Sequence, residues 1–172
     1  MDDFWVILLM ITSVQLQPIQ PADNPEIARI IRQCLEEFGA NKPGTVYFDA
    51  TTDALYELFL ENEQSAYFIA RADNKILGGG GIFPSPALPN DTCELVKMYL
   101  LPEARGTGTG AALINLCMET AKQKGFHRMY IETMPELKKA ISVYEKFGFE
   151  YLNGPLGNTG HFGCGVWMLK AL

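Results

Sequence analysis

"MYLLPEARGTGTGAAL", residues 98 to 113, decides how the rest of the chain is read. An apolar run stops at Pro102, three glycines follow at alternate positions (Gly106, Gly108, Gly110), and a helical pattern starts behind them. Arg105 stands directly before the first glycine. A glycine turn at a helix start leaves backbone N–H groups without intrahelical acceptors, at the positive end of the helix dipole. Such a turn cradles an anion, phosphate above all.

Working upstream, "CELVKMYLL" is a strand leading into the turn. Before it, "AYFIARADNKILGGGGIF" gives two strands joined by a tight turn at Asp73-Asn74, hence antiparallel. The four glycines Gly78 to Gly81 are unusual in a strand and mark a bulge or a close approach of ligand or backbone. Earlier still, "SVQLQPIQ" alternates like a half-buried strand. In "ADNPEIARIIRQCLEEFG", Asp23 or Asn24 caps, Pro25 suits the first turn, and Ile27, Ile30, Ile31, Cys34, Leu35 and Phe38 recur at helical spacing. A shorter helix fits "TTDALYELFLEN".

Downstream, "TGAALINLCMETAKQKG" is a helix and "HRMYIET" a strand. "TMPELKKAISVYEKFG" reads as a helix opened by a Thr133/Glu136 capping box. "FEYLNG" and "GVWMLKAL" fit two last strands. The order β α α β β β α β α β β, with parallel pairing only around the glycine turn, predicts an α+β fold. Its architecture is a three-layer α/β/α sandwich with helices on both faces of a mixed, mostly antiparallel sheet.

The 172 residues suffice for one domain with a substantial core. A net charge of −6 argues against nucleic acid or an acidic membrane surface as partner, since both select basic faces. Cys34, Cys93, Cys117 and Cys164 form no CxxC pair, so reduced thiols in a cytoplasmic protein are expected, and two histidines are too few for a His-based metal site. "WVILLMI", Trp5 to Ile11, follows two aspartates, is too short to span a bilayer and has no cleavage signature. It reads as an additional apolar segment packing on the core or on a second subunit, the latter making a homodimer.

Which phosphate the turn holds has three candidate answers. A P-loop fails, because GxxxxGK[ST] is absent. A dinucleotide fingerprint matches at Gly106-x-Gly108-x-x-Ala111, with Glu132 near the ribose position. Against it, "PEAR" separates strand from glycines, and an antiparallel meander with forty residues after Glu132 leaves no room for a doubly wound sheet. The third candidate is coenzyme A. "Arg105-Gly106-Thr107-Gly108-Thr109-Gly110" resembles the [QR]-x-x-G-x-[GA] motif of the GNAT superfamily of acyl-CoA-dependent N-acyltransferases. "AISVYEKFGFE" is similar to its A-x-x-x-Y-E-K-x-G-F signature, and the resemblance runs from about Val14 to the C-terminus.

The resemblance implies a splayed sheet, an extra apolar segment over 1–12 and a single N-acetyltransferase domain over 13–172. It implies acetyl-CoA as co-substrate, without a metal, and a primary amine of a small molecule or amino-acid-like compound as acceptor. The diphosphate would rest on the N–H groups of residues 106 to 111: Gly106, Thr107, Gly108, Thr109, Gly110 and Ala111. Arg105 would add charge or be merely a solvated turn residue, while Met98, Tyr99 and Leu100 would offer backbone groups to the pantetheine arm as an added strand.

Transfer to an amine needs a base for the ammonium and an acid for the departing thiolate. Tyr144 occupies the family's tyrosine position and is the implied acid, although its helical stripe with Leu137, Ala140 and Ile141 equally suits a core aromatic. Glu94 and Glu132 are alternative bases. Glu94 is preferred, as a carboxylate placed among apolar Val96, Met98 and Leu100. One departure is Leu137, where many members carry an asparagine. "PLGNTGHFGCGVW" would line the acceptor pocket together with loops 39–51 and 84–92, with His161 a conceivable contact or merely an exposed histidine. The rival reading is an acyl-CoA-binding sensor that does not turn over.

Overall fold

Seven strands, β1 (Gln15–Pro18), β2 (Ala66–Ala72), β3 (Lys75–Phe83), β4 (Thr92–Leu100), β5 (Arg128–Thr133), β6 (Glu150–Tyr151) and β7 (Val166–Ala171), form one sheet in the order β1-β2-β3-β4-β5-β7-β6. They are seen in a computed structural model that describes residues 13–172; the apolar segment 1–12 lies outside the described residues. Among the described strands only β4 and β5 pair in parallel, as the element order predicts. Helices α1 (Asn24–Glu37) and α2 (Leu55–Leu60) cover one face, and α3 (Thr109–Gln123) and α4 (Lys138–Lys146) cover the other. The α+β sandwich is therefore the observed fold.

Each face buries its own core. Ile27, Ile30, Ile31 and Leu35 of α1 meet Tyr67 and Ile69 of β2. Ile114, Cys117 and Ala121 of α3 meet Ile82, Cys93, Leu95, Met129 and Met168 across the sheet. Burial of these apolar stripes, more than helix propensity, fixes where the helices lie.

The glycines of β3 make room for two large side chains. A Cβ on Gly79 or Gly81 would strike Tyr67, and one on Gly80 would strike the Met98 sulfur from the opposite face. The β3–β4 register also slips here: Gly81 faces Val96 and Gly79 faces Tyr99, so Lys97 and Met98 together oppose Gly80. This is a β-bulge, with Lys97 in the left-handed region at φ +48°. The Tyr67 hydroxyl donates to the Lys97 carbonyl at 2.8 Å and anchors it.

The bulge corrects one expectation. Glu94 does not share a face with Met98 and Leu100. The extra residue inverts the alternation, so Val96 and Tyr99 point to the α1 side while Met98 and Leu100 pack toward α3. A second correction concerns α4. Thr133 is still strand, paired with Val166, and Glu136 instead pairs with Lys42. The helix begins at Lys138 without a side-chain cap, so no Thr133/Glu136 capping box exists. The predicted strand over "FEYLNG" shrinks to Glu150–Tyr151.

Candidate active site

Parallel pairing of β4 with β5 lasts only from Thr92 to Glu94. Beyond Glu94 the two strands part, and a cleft of about 800 Å³ opens between them. The same cleft reaches Glu94, Lys97, Met98, Tyr99 and Leu100 of β4, Glu132 of β5, Tyr144 of α4, and Arg105, Gly106, Gly108, Gly110 and Ala111 of the glycine turn.

At the turn, no backbone N–H from Gly106 to Ala111 donates to a protein acceptor among the described residues; the first closed helical bond is Ala112 N–H to Gly108 at 2.9 Å. Gly106 and Gly108 have φ of +72° and +90°, and a Cβ on either would project into open space. A backbone bent this way aims its amides outward over a cradle that side chains do not fill, which suits a diphosphate. Thr107 and Thr109 point away from this role and brace the turn: Thr107 Oγ1 donates to the Ala104 carbonyl at 2.7 Å and meets Thr109 Oγ1 at 2.8 Å. Arg105 is spent similarly. Its guanidinium grips Glu37 at 2.6 and 2.8 Å, its Nε donates to the Leu100 carbonyl at 2.8 Å, and it lies over the Phe38 ring. It ties the turn to the end of α1.

At the other end, Glu94 is 5% exposed. Burial pushes its carboxyl up to about 7, with the hydrogen bond from Ser85 Oγ opposing and the charge of Glu132 adding to the rise. Its second oxygen has no hydrogen-bond partner among the described residues and keeps contact with the cleft. Glu132 is more fully occupied: Tyr130 donates to Oε1 at 2.8 Å and Thr159 donates to Oε2. Tyr144 is buried, and desolvation, with Cys117 nearby, lifts its phenol to about 12, so it stays protonated at neutral pH. Its hydroxyl has no protein partner among the described residues and reaches the cleft surface. Leu137, the departure from the family's asparagine, lines the cleft with an apolar side chain.

Sequence reasoning left Asp49 and Lys97 unassigned and gave His161 only as a conceivable contact. His161 Nε2 lies 2.9 Å from Asp49 Oδ2, and its Nδ1 lies 4.0 Å from Glu132. Lys97 Nζ reaches the same Asp49 oxygen at 3.1 Å. Burial alone would raise Asp49, but the hydrogen bond from His161 and the Lys97 charge outweigh it and hold the carboxyl at about 2. The Asp49 bond raises His161 against its burial, while burial lowers Lys97. Only the loop assignment, 39–51 and 155–167 as pocket walls, hinted at these contacts. Ligand atoms of Glu94, Glu132 and His161 lie within 4.8 Å of one another, close enough to share a cation. However, hydroxyls of Ser85, Tyr130 and Thr159 already occupy three of the four carboxylate oxygens.

Fold and cleft together join the open glycine turn at one end to the buried Glu94 and Tyr144 at the other. The sequence profile of the Acetyltransferase (GNAT) family matches residues 26–149, and the chain belongs to that family of N-acetyltransferases. It is 45% identical over 152 residues to uncharacterized N-acetyltransferase YjgM of Escherichia coli (strain K12), covering 87% of this chain and 90% of that protein. Among solved structures, a GNAT acetyltransferase of Staphylococcus aureus Mu50 superposes with TM-score 0.79 at 16% identity, over 92% of this chain and 99% of the other. The PaiA N-acetyltransferase of Thermoplasma acidophilum, in complex with coenzyme A, superposes with TM-score 0.73 at 18% identity, over 93% and 99%. No helix among the described residues is long and apolar enough to cross a membrane.

Proposed function

We propose that the protein transfers the acetyl group of acetyl-CoA to a primary amine of a small molecule by direct attack in a ternary complex. The observation that carries this reading is the run of unengaged amides from Gly106 to Ala111, opening into the same cleft as Glu94 and Tyr144. Acetyl-CoA supplies an activated thioester. The amides of 106–111 hold its diphosphate, and the β4 edge beyond Glu94, free of β5, accepts the pantetheine arm alongside Met98, Tyr99 and Leu100.

Glu94 takes the proton of the incoming ammonium on its cleft-facing oxygen. A carboxyl near 7 is matched to that task at neutral pH, whereas both oxygens of Glu132 already accept hydrogen bonds. As the amine nitrogen bonds to the acyl carbon and the carbon–sulfur bond breaks, Tyr144 gives its hydroxyl proton to the departing thiolate and regains one from the acylated nitrogen, which sheds its second proton to become the amide. Arg105 supports the turn by position instead of binding phosphate, because its charge is matched by Glu37. The catalytic unit is the domain over 13–172, and four free thiols accord with the cytoplasm.

The test is thiol release with acetyl-CoA and a panel of amines. Tyr144→Phe should lower kcat by roughly 10²-fold, within the range of acid–base catalysis, while leaving acetyl-CoA binding in place. An unchanged rate removes Tyr144 from the reaction. Binding without turnover against every amine would instead favour the sensor.

A further inference from the structure

Asp49 holds the Lys97 ammonium and the His161 imidazole at the acceptor end of the cleft. Lys97 Nζ lies 3.1 Å and His161 Nε2 lies 2.9 Å from its Oδ2. Lys97 also donates to Thr52 Oγ1 at 3.3 Å, and its side chain is only 7% exposed. The other cleft-lining cations, Arg105 and Lys139, stand beside Glu37 at the glycine turn, the phosphate end. Residues 1–12, outside the described structure, include no Lys, Arg or His.

Where the acceptor nitrogen must arrive, the wall therefore presents carboxylates. Glu94 and Glu132 converge on His161, and Asp49 closes the far side of the imidazole. An ammonium is drawn to this wall. A carboxylate two bonds from that nitrogen would be pressed against like charge in a partly desolvated site, with Lys97 and His161 already committed to Asp49. Beside these groups the cleft turns apolar: Val46, Leu58, Phe59 and Phe83 line it, and the Phe59 and Phe83 rings meet edge-on at 5.6 Å.

We propose that the preferred acceptor is an apolar primary amine whose nitrogen-bearing carbon carries no carboxylate, an aryl- or alkylamine and not a free amino acid. This deepens the acetyltransferase reading and rests on it. Ammonium capture falls to Glu94 and Glu132, and the hydrocarbon body packs on the phenylalanine wall. Asp49 acts as a specificity residue, by keeping Lys97 and His161 from pairing with a substrate carboxylate.

The experiment compares matched triplets in the full chain: phenethylamine, phenylalanine and phenylalanine amide, then isoamylamine, leucine and leucine amide. Acetylated product is measured by mass spectrometry. The amine and amide of each triplet should exceed the amino acid in kcat/KM by at least about tenfold, the scale expected for a like-charge clash. Asp49→Asn should narrow that ratio, since it frees the Lys97 ammonium and the His161 imidazole to meet the substrate carboxylate. The ratio is internal to one preparation, so partial loss of folded enzyme does not alter it. Equal or better use of the amino acids, or no product from any triplet, overturns the proposal, as does an unchanged ratio in Asp49→Asn. A thermal shift with acetyl-CoA on the same samples judges the donor side separately: loss of that shift would sink the acetyltransferase reading itself.

Discussion

Glu94 carries a stability cost that can be measured apart from activity. Its carboxyl lies at about 7 in the fold against an ordinary 4.5, so the native state binds this proton more tightly than the unfolded chain does. The sign follows: stability falls as pH rises from about 4.5 through 7, and the full loss above that is on the order of 3 kcal/mol. Glu94→Gln should therefore be more stable than the native protein at pH 8, with the gap closing near pH 4, as read from denaturant melts at the two pH values. The same substitution should remove the acidic limb of the kcat/KM profile. Ser85 works in the opposite direction, because its hydroxyl favours the charged carboxylate. Ser85→Ala should move the acidic limb to higher pH, and a limb that stays put would show that Glu94 is not the group that titrates. Burial of this glutamate was expected from Val96, Met98 and Leu100, although the bulge leaves only Val96 on its face; Ser85 was not legible, because nothing in "PSPALPND" distinguishes a serine that turns inward from one that faces water.

At the scale of the element, the β4 bulge does most to shape the site. It turns Lys97 toward Asp49 and sends Met98 to the other face, and the glycines of β3 are the complement that allows it. The two sides of the glycine run should respond differently to a methyl group. On Gly81 a Cβ would lie 2.3 Å from the Ala66 carbonyl, part of a paired strand that cannot yield; on Gly80 it would meet the Met98 sulfur at 2.4 Å, the end of a flexible side chain. Gly80→Ala should cost about 1–3 kcal/mol, the usual scale of overpacking. Gly81→Ala should cost more and lower soluble yield, so equal melting temperatures for the two variants would count against this account. Composition and alternation carried the existence of β3 and β4 and pointed to a bulge or a close approach among the glycines. They did not carry the inversion after Lys97, since one left-handed residue leaves no trace in a hydrophobic pattern. Similarly, Thr133 and Glu136 have capping-box spacing, yet pairing of Thr133 with Val166 keeps the strand running through the place where a helix would start.

The whole molecule works as a wedge. One parallel strand pair is zipped for three residues and then forced apart, and the described residues fill neither the gap nor the amides at its mouth. The parallel pairing and the glycine turn were readable from the sequence, because both depend on local spacing, whereas the parting of the strands was expected only from the family resemblance. The Asp49–His161 contact was not readable, since it joins loops 112 residues apart that meet only once the sheet has brought them together. A wedge completed by its ligand should be stabilised by it. At a concentration 100 times its Kd, acetyl-CoA should add about 2.7 kcal/mol to the folded state, seen as a raised Tm, whereas NAD at equal concentration should leave Tm unchanged. Gly108→Ala separates the cradle from the scaffold. At φ +90° with open space beyond, the added Cβ strains the backbone by about 1–2 kcal/mol and also fills the volume over the amides. The unliganded variant should therefore melt only slightly lower, while its Tm increment with acetyl-CoA largely disappears. If the increment survives intact beside the lowered baseline, the diphosphate does not rest on this turn, and the donor must enter the wedge by another route.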